Sequence, residues 1–232
     1  MPCGLCGDII PLEVVRCPAC GAWSRRRDFR ALGIGLFMLL GFNAFLAMGS
    51  SVSLLRLASE LDGTSSLSYD PGSVSTTLAG YRDVFVVSLC LAVVTGVLFL
   101  AWLWQAHGQT LDKVRGHRLW TVGAWFVPLA NLWLPPRLVL EVWLASGRYP
   151  LPRRHGVSVV VMAWWSNLLA AVGLAQLFPS MHAATLADAR FAVQIGTAGA
   201  ATLGLAATLA MAVVFHVTLL QLRVPPARPA QG

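Results

Sequence analysis

Residues 119–143 read LWTVGAWFVPLANLWLPPRLVLEVW, and this stretch decides the topology of the chain. It is apolar enough to enter a bilayer, yet it contains Pro135, Pro136, Arg137 and Glu141. About 16 mostly apolar residues precede the prolines, fewer than the roughly 20 that a membrane-spanning helix requires. Two adjacent prolines would also break a helix that runs through them. The stretch therefore predicts a helical hairpin in place of a simple span.

The composition around this stretch is that of a membrane protein. Of 232 residues, 56% are hydrophobic and 12% are charged, and the mean hydropathy is +0.67. Soluble domains carry about 25% charged residues. We therefore predict an all-α integral membrane protein. Because the first apolar run begins only near residue 31, we expect no signal peptide. Four runs are long enough to be transmembrane helices, at about 31–55, 84–106, 157–178 and 191–222.

The positions of the basic residues predict the orientation. If the N-terminus is cytoplasmic and there are four spans, all of the 17 Lys and Arg residues except Arg56, Arg82 and Arg190 lie on the cytoplasmic side. Cytoplasmic loops of membrane proteins collect Lys and Arg in this way. We therefore predict a multi-pass protein of the cell membrane with both the N- and C-termini in the cytoplasm.

Residues 119–146, called the insert from here on, have basic segments on both sides, DKVRGHR before and RYPLPRR after. A single crossing would place one of these segments outside the cell, against the charge bias. We therefore expect the insert to enter and leave on the cytoplasmic side, as a re-entrant or interfacial helical hairpin. The alternative is a tilted fifth crossing with Arg137 snorkelling to the interface.

The N-terminal segment predicts a metal site. CGLCGDIIPLEVVRCPACG contains two C-x-x-C pairs, Cys3 with Cys6 and Cys17 with Cys20, each followed by a glycine. Two such pairs are typical of a zinc ribbon, and four cysteines form a closed site that is structural and not catalytic. We predict a cytoplasmic ribbon at 1–23 with a structural zinc ion. A redox dithiol pair and a site without metal remain as alternatives.

Two short segments complete the domain organisation. Residues 24–30 contain RRRDFR and form a basic juxtamembrane linker, which needs no partner beyond lipid headgroups. The tail at 223–232 is rich in proline, and we expect it to be disordered. The membrane domain lies between them, at 31–222.

Aromatic and polar residues mark a candidate pocket. Most tryptophans, Trp125 among them, lie at the predicted cytoplasmic interface, and Trp164 lies inside the third span. Asn131, Asn167 and His216 are polar residues within apolar segments, where side chains must find a hydrogen-bond partner. These residues either anchor the insert in the interface or line a pocket that is open to the cytoplasm or the inner leaflet.

The sequence of the insert also resembles a known family. GAWFVPLANLWLPPRLVLEVW is similar to the signature of bacterial membrane proteins catalogued as domain of unknown function 4328. The matching positions are Trp125, Pro128, Asn131 and Pro135, with Glu141 and Trp143 downstream. The resemblance covers about 31–222, and such proteins can carry a zinc ribbon in front. It implies an architecture and no activity.

We find no nucleophile elbow, phosphate loop or H-E-x-x-H motif. The first hypothesis is therefore a non-enzymatic scaffold or sensor in the lipid bilayer, whose ribbon docks a cytoplasmic protein. Nucleic acid is not an expected partner, because orientation accounts for the positive charge. The alternatives are a small-molecule transporter or channel with a cavity lined by the 119–146 insert, and a lipid- or haem-linked enzyme. The sequence predicts no oligomeric state.

Overall fold

The structure is a computed structural model, which describes residues 6–7, 18–20, 25–110, 119–147, 151–177 and 184–223. These residues form α-helices, turns and one 3₁₀ turn at Ala130–Leu132, and none of them lies in a β-strand. The helices are α1 (Arg25–Asp62), α2 (Pro71–Gly108), α3 (Trp120–Gly123), α4 (Leu134–Ser146), α5 (Leu151–Leu177) and α6 (Leu186–Arg223).

Four of these helices, α1, α2, α5 and α6, are long and apolar enough to cross a membrane. Large apolar side chains are exposed along them; Met38, Phe45 and Val87 are each more than 60% exposed. A soluble protein would bury such side chains, whereas lipid solvates them. The four predicted long apolar helices are thus confirmed, and they indicate a multi-pass membrane protein in a lipid bilayer.

The helices extend beyond the predicted spans. The first two were expected at 31–55 and 84–106, but α1 continues to Asp62 and α2 already begins at Pro71. Asp70 caps α2, since its carboxylate oxygens accept hydrogen bonds from the N–H groups of Gly72 and Ser73 at 3.0 and 3.2 Å. Proline is also favoured in the first turn of a helix. Polar residues outside the predicted span therefore begin the helix α2.

A similar cap begins α6 ahead of its predicted start at 191. The N–H of Thr185 donates to the carboxylate of Asp188 at 3.1 Å, and the N–H of Asp188 donates to the hydroxyl of Thr185 at 3.2 Å. This reciprocal pair is a capping box, here with aspartate as the acid. It satisfies two N–H groups that a helix start leaves without partners.

Contacts divide the chain into two compact units. The first unit comprises Met1–Phe37, Leu98–Arg154 and Val214–Gly232, and the second comprises Met38–Val97 and His155–Val213. The helices α1, α2 and α6 each contribute to both units, and the insert belongs entirely to the first.

The second unit is held together by an apolar cluster and by single polar contacts. The cluster consists of the buried residues Leu54, Leu57, Leu61, Ala189 and Val193. The amide of Asn43 donates to the hydroxyl of Thr95 at 2.9 Å, which joins α1 to α2. Within lipid, a polar side chain on one helix gains most by bonding to a neighbouring helix in this way.

Several predictions lie partly or wholly outside the described residues. Of the four predicted zinc ligands, Cys3 and Cys17 are outside them, as is the tail from residue 224 onward. Of the predicted 24–30 linker, the described part from Arg25 belongs to α1 and is helical.

Candidate functional site

The first half of the insert is a series of tight turns. After α3, the N–H groups of Trp125, Phe126 and Trp133 each donate to the carbonyl three residues earlier, at 3.1 to 3.2 Å. Bonds of this type give about three residues per turn, so side chains three apart lie on one face. The motif positions Trp125, Pro128 and Asn131 stand three residues apart, but the N–H of Asn131 donates to the carbonyl of Val127, four residues earlier, at 2.8 Å.

The second half of the insert is the helix α4, which begins at the two prolines. Pro135 and Pro136 occupy its first turn, where the missing N–H groups have no intrahelical partner to lose. The prolines therefore interrupt the apolar stretch, as predicted, by starting a new helix.

The helix α4 is amphipathic. Its buried residues are Pro135, Pro136, Leu138, Val139, Val142, Trp143 and Ser146. Arg137 and Glu141 are exposed, and they stand four residues apart, close to one helical turn. Burial of one apolar face holds α4 against the rest of the first unit, while the charged face remains outside.

A set of buried polar side chains surrounds the two ends of the insert, and we call it the docking cluster. Its members, each at most 8% exposed, are His107, Thr110, Thr121, Ser146, Thr218 and Gln221. They come from the C-terminal ends of α2 and α6, from Thr110 just after α2, and from the two ends of the insert. Buried polar groups are costly unless they are hydrogen-bonded, and two bonds between members, His107 with Thr121 and Gln221 with Ser146, hold the two ends of the insert.

Gln221 joins three elements within this cluster. Its side-chain amide nitrogen donates to the carbonyl oxygen of Ala106 at 3.0 Å and to the hydroxyl of Ser146 at 2.9 Å. Ala106 lies near the end of α2, and Ser146 is the last residue of α4. One amide on α6 therefore fixes the end of the insert beside the end of α2.

The start of the insert docks at almost the same place. His107 on α2 shares a hydrogen bond between its Nδ1 and the hydroxyl of Thr121 in α3, and both residues are fully buried. His107 directly follows Ala106, to which Gln221 donates. The start of the insert thus bonds directly to the turn of α2 to which Gln221 connects its end.

The middle of the insert contacts α2 at a different level. The ring of Trp125 lies 5.9 Å from that of Phe99, edge to face. Phe99 and His107 are eight residues apart on α2, which corresponds to about 12 Å along a helix axis. Beyond Trp125 the insert exposes Phe126, Leu129 and Trp133 at 74%, 78% and 66%. The insert therefore runs along α2 from His107 towards Phe99, exposes apolar side chains at its tip, and ends again near His107.

Aromatic contacts hold α1 and α6 in the same unit. Phe29 on α1 is fully buried and stacks on Trp102 of α2, with ring centres 6.3 Å apart. The indole N–H of Trp102 donates to the hydroxyl of Thr218 on α6 at 3.1 Å. Stacked aromatic rings and a satisfied indole together make this a well-defined packing site.

The predicted pocket residues fall into both units. His216 stacks on Trp143 with ring centres 5.8 Å apart, and Trp125, Pro128, Asn131, Pro135, Arg137 and Glu141 share the first unit with it. Trp164 and Asn167 belong to the second unit, where Trp164 contacts Trp165 and Asn167 donates to the carbonyl of Ala163 in its own helix.

Sequence reasoning missed most of the docking cluster. Ser146, Thr218 and Gln221 are single polar residues near helix ends, a common and uninformative pattern. Gln221 stands 115 residues from Ala106 along the chain, so only the fold brings the two together. A polar amide within the apolar run VTLLQLR is the one signal that pointed to it.

The described parts of the predicted ribbon are two turns. Cys6 is exposed and is followed by Gly7, whose φ of 76° lies in the left-handed region that glycine adopts without strain. Pro18, Ala19 and Cys20 form a second exposed turn. Among the described residues no group of three or more His, Cys, Asp or Glu side chains could hold a metal ion, and the zinc site stays a prediction.

Comparison with known proteins decides the family. A family model described as Domain of unknown function (DUF4328) matches residues 64–219. The chain belongs to this family. The DUF4328 match begins later than the predicted 31–222, so the family region spans α2 to α6 and leaves out α1 and the segment predicted to be a ribbon. The chain matches no curated protein and no solved structure at a significant level.

Proposed function

We propose that this DUF4328 protein is a non-enzymatic membrane scaffold or sensor, which presents an N-terminal zinc ribbon to a cytoplasmic protein. In this proposal the insert is a re-entrant hairpin on the cytoplasmic side. The single observation that carries the re-entrant hairpin is the bridge from Gln221 to Ala106 and Ser146.

The bridge supports re-entry because of where the insert starts and ends. Thr121 and Ser146 dock beside His107 and Ala106, which are adjacent in α2. A segment that crossed the bilayer would separate its ends by about 30 Å. The exposed tip with Phe126, Leu129 and Trp133 is apolar, as expected of a loop that dips into hydrocarbon. The basic segments on both sides of the insert are consistent with a cytoplasmic location.

The same unit supports a docking role for the ribbon. The helix α1 begins at Arg25, directly after the predicted ribbon, and its buried Phe29 packs on Trp102. A partner that binds the ribbon would therefore be connected to α1, a helix that is fixed beside the insert. The zinc ion, held by Cys3, Cys6, Cys17 and Cys20, would supply the folding free energy that about twenty residues cannot obtain from a core.

The test compares the full-length protein with a variant in which all four ribbon cysteines are replaced by alanine. We expect the wild-type protein to purify with about one zinc ion per chain and to crosslink a specific cytoplasmic protein in cells. The variant should lose both. Cys90→Ala is the matched control, because Cys90 is exposed on α2 and lies outside the ribbon. Unchanged crosslinked partners in the four-cysteine variant would contradict the proposal.

The transporter alternative receives less support. The apolar cavity of the second unit is lined by residues of α1, α2, α5 and α6, and none of its lining residues belongs to the insert. A transport pathway through the insert requires water to reach Asn131. In a variant with Asn131→Cys, labelling by a water-soluble maleimide from either side of the membrane would favour transport over a scaffold.

A further inference from the structure

The second unit contains an apolar cavity of about 170 Å³ between its four helices. Small residues provide the space, among them Ala171 and Ala175 on α5 and Gly196, Gly199 and Ala200 on α6. The sequence places Gly196, Ala200 and Gly204 at intervals of four, a pattern typical of close helix packing.

Close packing holds for only part of this pattern. At Gly204 an added Cβ atom would lie 3.4 Å from the Cβ of Ala47, so α6 and α1 are in tight contact there. Gly196 and Ala200 instead line the cavity. The same run of small residues therefore packs two helices at one level and leaves a space at another.

The cavity opens sideways between α2 and α5. Val84 and Leu89 on α2 and Val172 on α5 line it, and they are also 44%, 52% and 51% exposed. Exposed apolar side chains on helices that span a membrane face the lipid chains. The mouth of the cavity is therefore at the surface that the hydrocarbon of the bilayer covers.

One end of the cavity is closed by the apolar cluster of the second unit. Leu54 and Tyr81 line the cavity and also belong to that cluster or pack against it. Among the described lining residues, the polar side chains are Ser50, Tyr81 and Ser88. This lining does not solvate an ion or a polar solute, and it suits a hydrocarbon chain.

We propose that the cavity binds one acyl chain of a membrane phospholipid, which enters between α2 and α5. An apolar cavity of about 150 Å³ in a soluble protein stays dry and takes up an apolar molecule as large as benzene. In a bilayer the molecules at the mouth are lipid chains, and a chain segment restores the contacts that an empty cavity lacks. This site is separate from the insert and does not depend on the function proposed for the ribbon.

The test uses the full-length protein in vesicles of phosphatidylethanolamine and phosphatidylglycerol, with a trace of phospholipid that carries a diazirine in the middle of one acyl chain. After illumination, mass spectrometry locates the labelled residues. We expect adducts on the inner wall, at Ala175, Gly199 or Ala200, in addition to those on lipid-facing residues. Adducts restricted to lipid-facing residues in the wild-type protein would overturn the proposal.

Two cavity-filling variants and a matched control strengthen the test. Ala175→Phe and Ala200→Phe each place a ring in the cavity and should abolish labelling of the inner wall. Ala201→Phe makes the same change one residue along α6, at an exposed position outside the lining, and should leave that labelling intact. Inner-wall adducts that persist in both filled variants would also overturn the proposal. The wild-type map decides the question even if a filled variant does not fold.

Discussion

The side-chain amide of Gln221 donates to the hydroxyl of Ser146 at 2.9 Å, across 75 residues of sequence. The hydroxyl of Ser146 in turn donates to the carbonyl of Val142 at 2.6 Å, within α4. Ser146 is thereby both an acceptor from α6 and a donor to its own helix. The contact connects the last residue of the insert to the C-terminal part of α6.

Gln221→Leu should loosen the insert. The substitution removes the donor to Ala106 and Ser146, but other bonds remain, because the N–H of Gln109 also donates to the carbonyl of Ala106 at 3.2 Å. We therefore expect a loss of only about 1 kcal/mol in the free energy of unfolding. Hydrogen–deuterium exchange of residues 119–147 in micelles should rise. Gln194→Leu, on the exposed face of α6, should leave this exchange unchanged, and equal effects of the two substitutions would refute the bridge.

Replacing Gly33 by alanine should destabilise the protein, whereas the same change at Gly35 should not. A Cβ atom at Gly33 would lie 2.9 Å from the Oγ1 of Thr218 and 3.0 Å from its Cγ2, and that Oγ1 accepts the indole N–H of Trp102. We expect Gly33→Ala to cost about 1–3 kcal/mol in thermal unfolding. A Cβ atom added at Gly35 would meet nothing within 4 Å, so Gly35→Ala should be neutral or should stabilise α1 by up to about 1 kcal/mol.

A second substitution separates steric crowding from other causes. Thr218→Ala removes both atoms that the new Cβ would meet at Gly33. Combined with Gly33→Ala, it should cost less than the sum of the two single changes, since sites in direct contact are not additive. Strict additivity would show that the contact between α1 and α6 is absent.

The hydrogen bond from Arg190 to the carbonyl of Leu61 should stabilise the second unit more than the ion pair of Arg190 with Asp62 does. Its guanidinium donates to the carbonyl of Leu61 at 2.8 Å, near the C-terminus of α1, whereas its Nε lies 3.6 Å from the carboxylate of Asp62. That carboxylate is 77% exposed, and exposed ion pairs contribute little. Asp62→Asn should change the free energy of unfolding by less than about 0.5 kcal/mol, and Arg190→Met should reduce it by about 1.5 kcal/mol. A larger effect of Asp62→Asn would reverse this order.

Tyr69 should make the second unit sensitive to alkaline pH. Burial raises the pKa of its phenol above the ordinary 10.0, and the negative charges of Asp188 and Asp70 raise it further. The folded chain then holds a proton that the unfolded chain releases near pH 10, so stability falls as pH rises from there through the folded pKa. In Tyr69→Phe this decline should be smaller. Ultraviolet difference absorbance between wild type and variant should show a phenolate appearing above pH 10; a transition at or below pH 10 would contradict the assigned burial and charge.

The sequence predicted the four long helices because hydropathy over 18 or more residues is a strong signal. The helix ends that lie beyond these predicted spans have no comparable hydropathy signal. Asp70 and Thr185 lie in stretches rich in Ser, Thr and Ala, and their role as caps depends on the hydrogen bonds that they form with residues two or three positions on. The prolines at 135 and 136 indicated a break correctly, since the missing N–H groups constrain any helix.

The sites were less accessible from sequence. Gln221 of the docking cluster donates to Ala106, which is distant in the chain, and no local pattern encodes the contact. The cavity depends on where small residues on α5 and α6 meet, which the spacing along one helix does not give. The tryptophans and asparagines of the candidate pocket are distributed over both units, and that pocket stays a prediction.

The most direct test of the central claim is a topology map of the insert. A short epitope is introduced into the full-length chain after Gly108, Gly147 or Ala184, and antibody binding is compared in right-side-out and inverted membrane vesicles. A re-entrant insert predicts that the epitopes at Gly108 and Gly147 are both reached only in inverted vesicles, and that at Ala184 only in right-side-out vesicles. An epitope at Gly147 that is reached in right-side-out vesicles would show that the insert crosses the membrane.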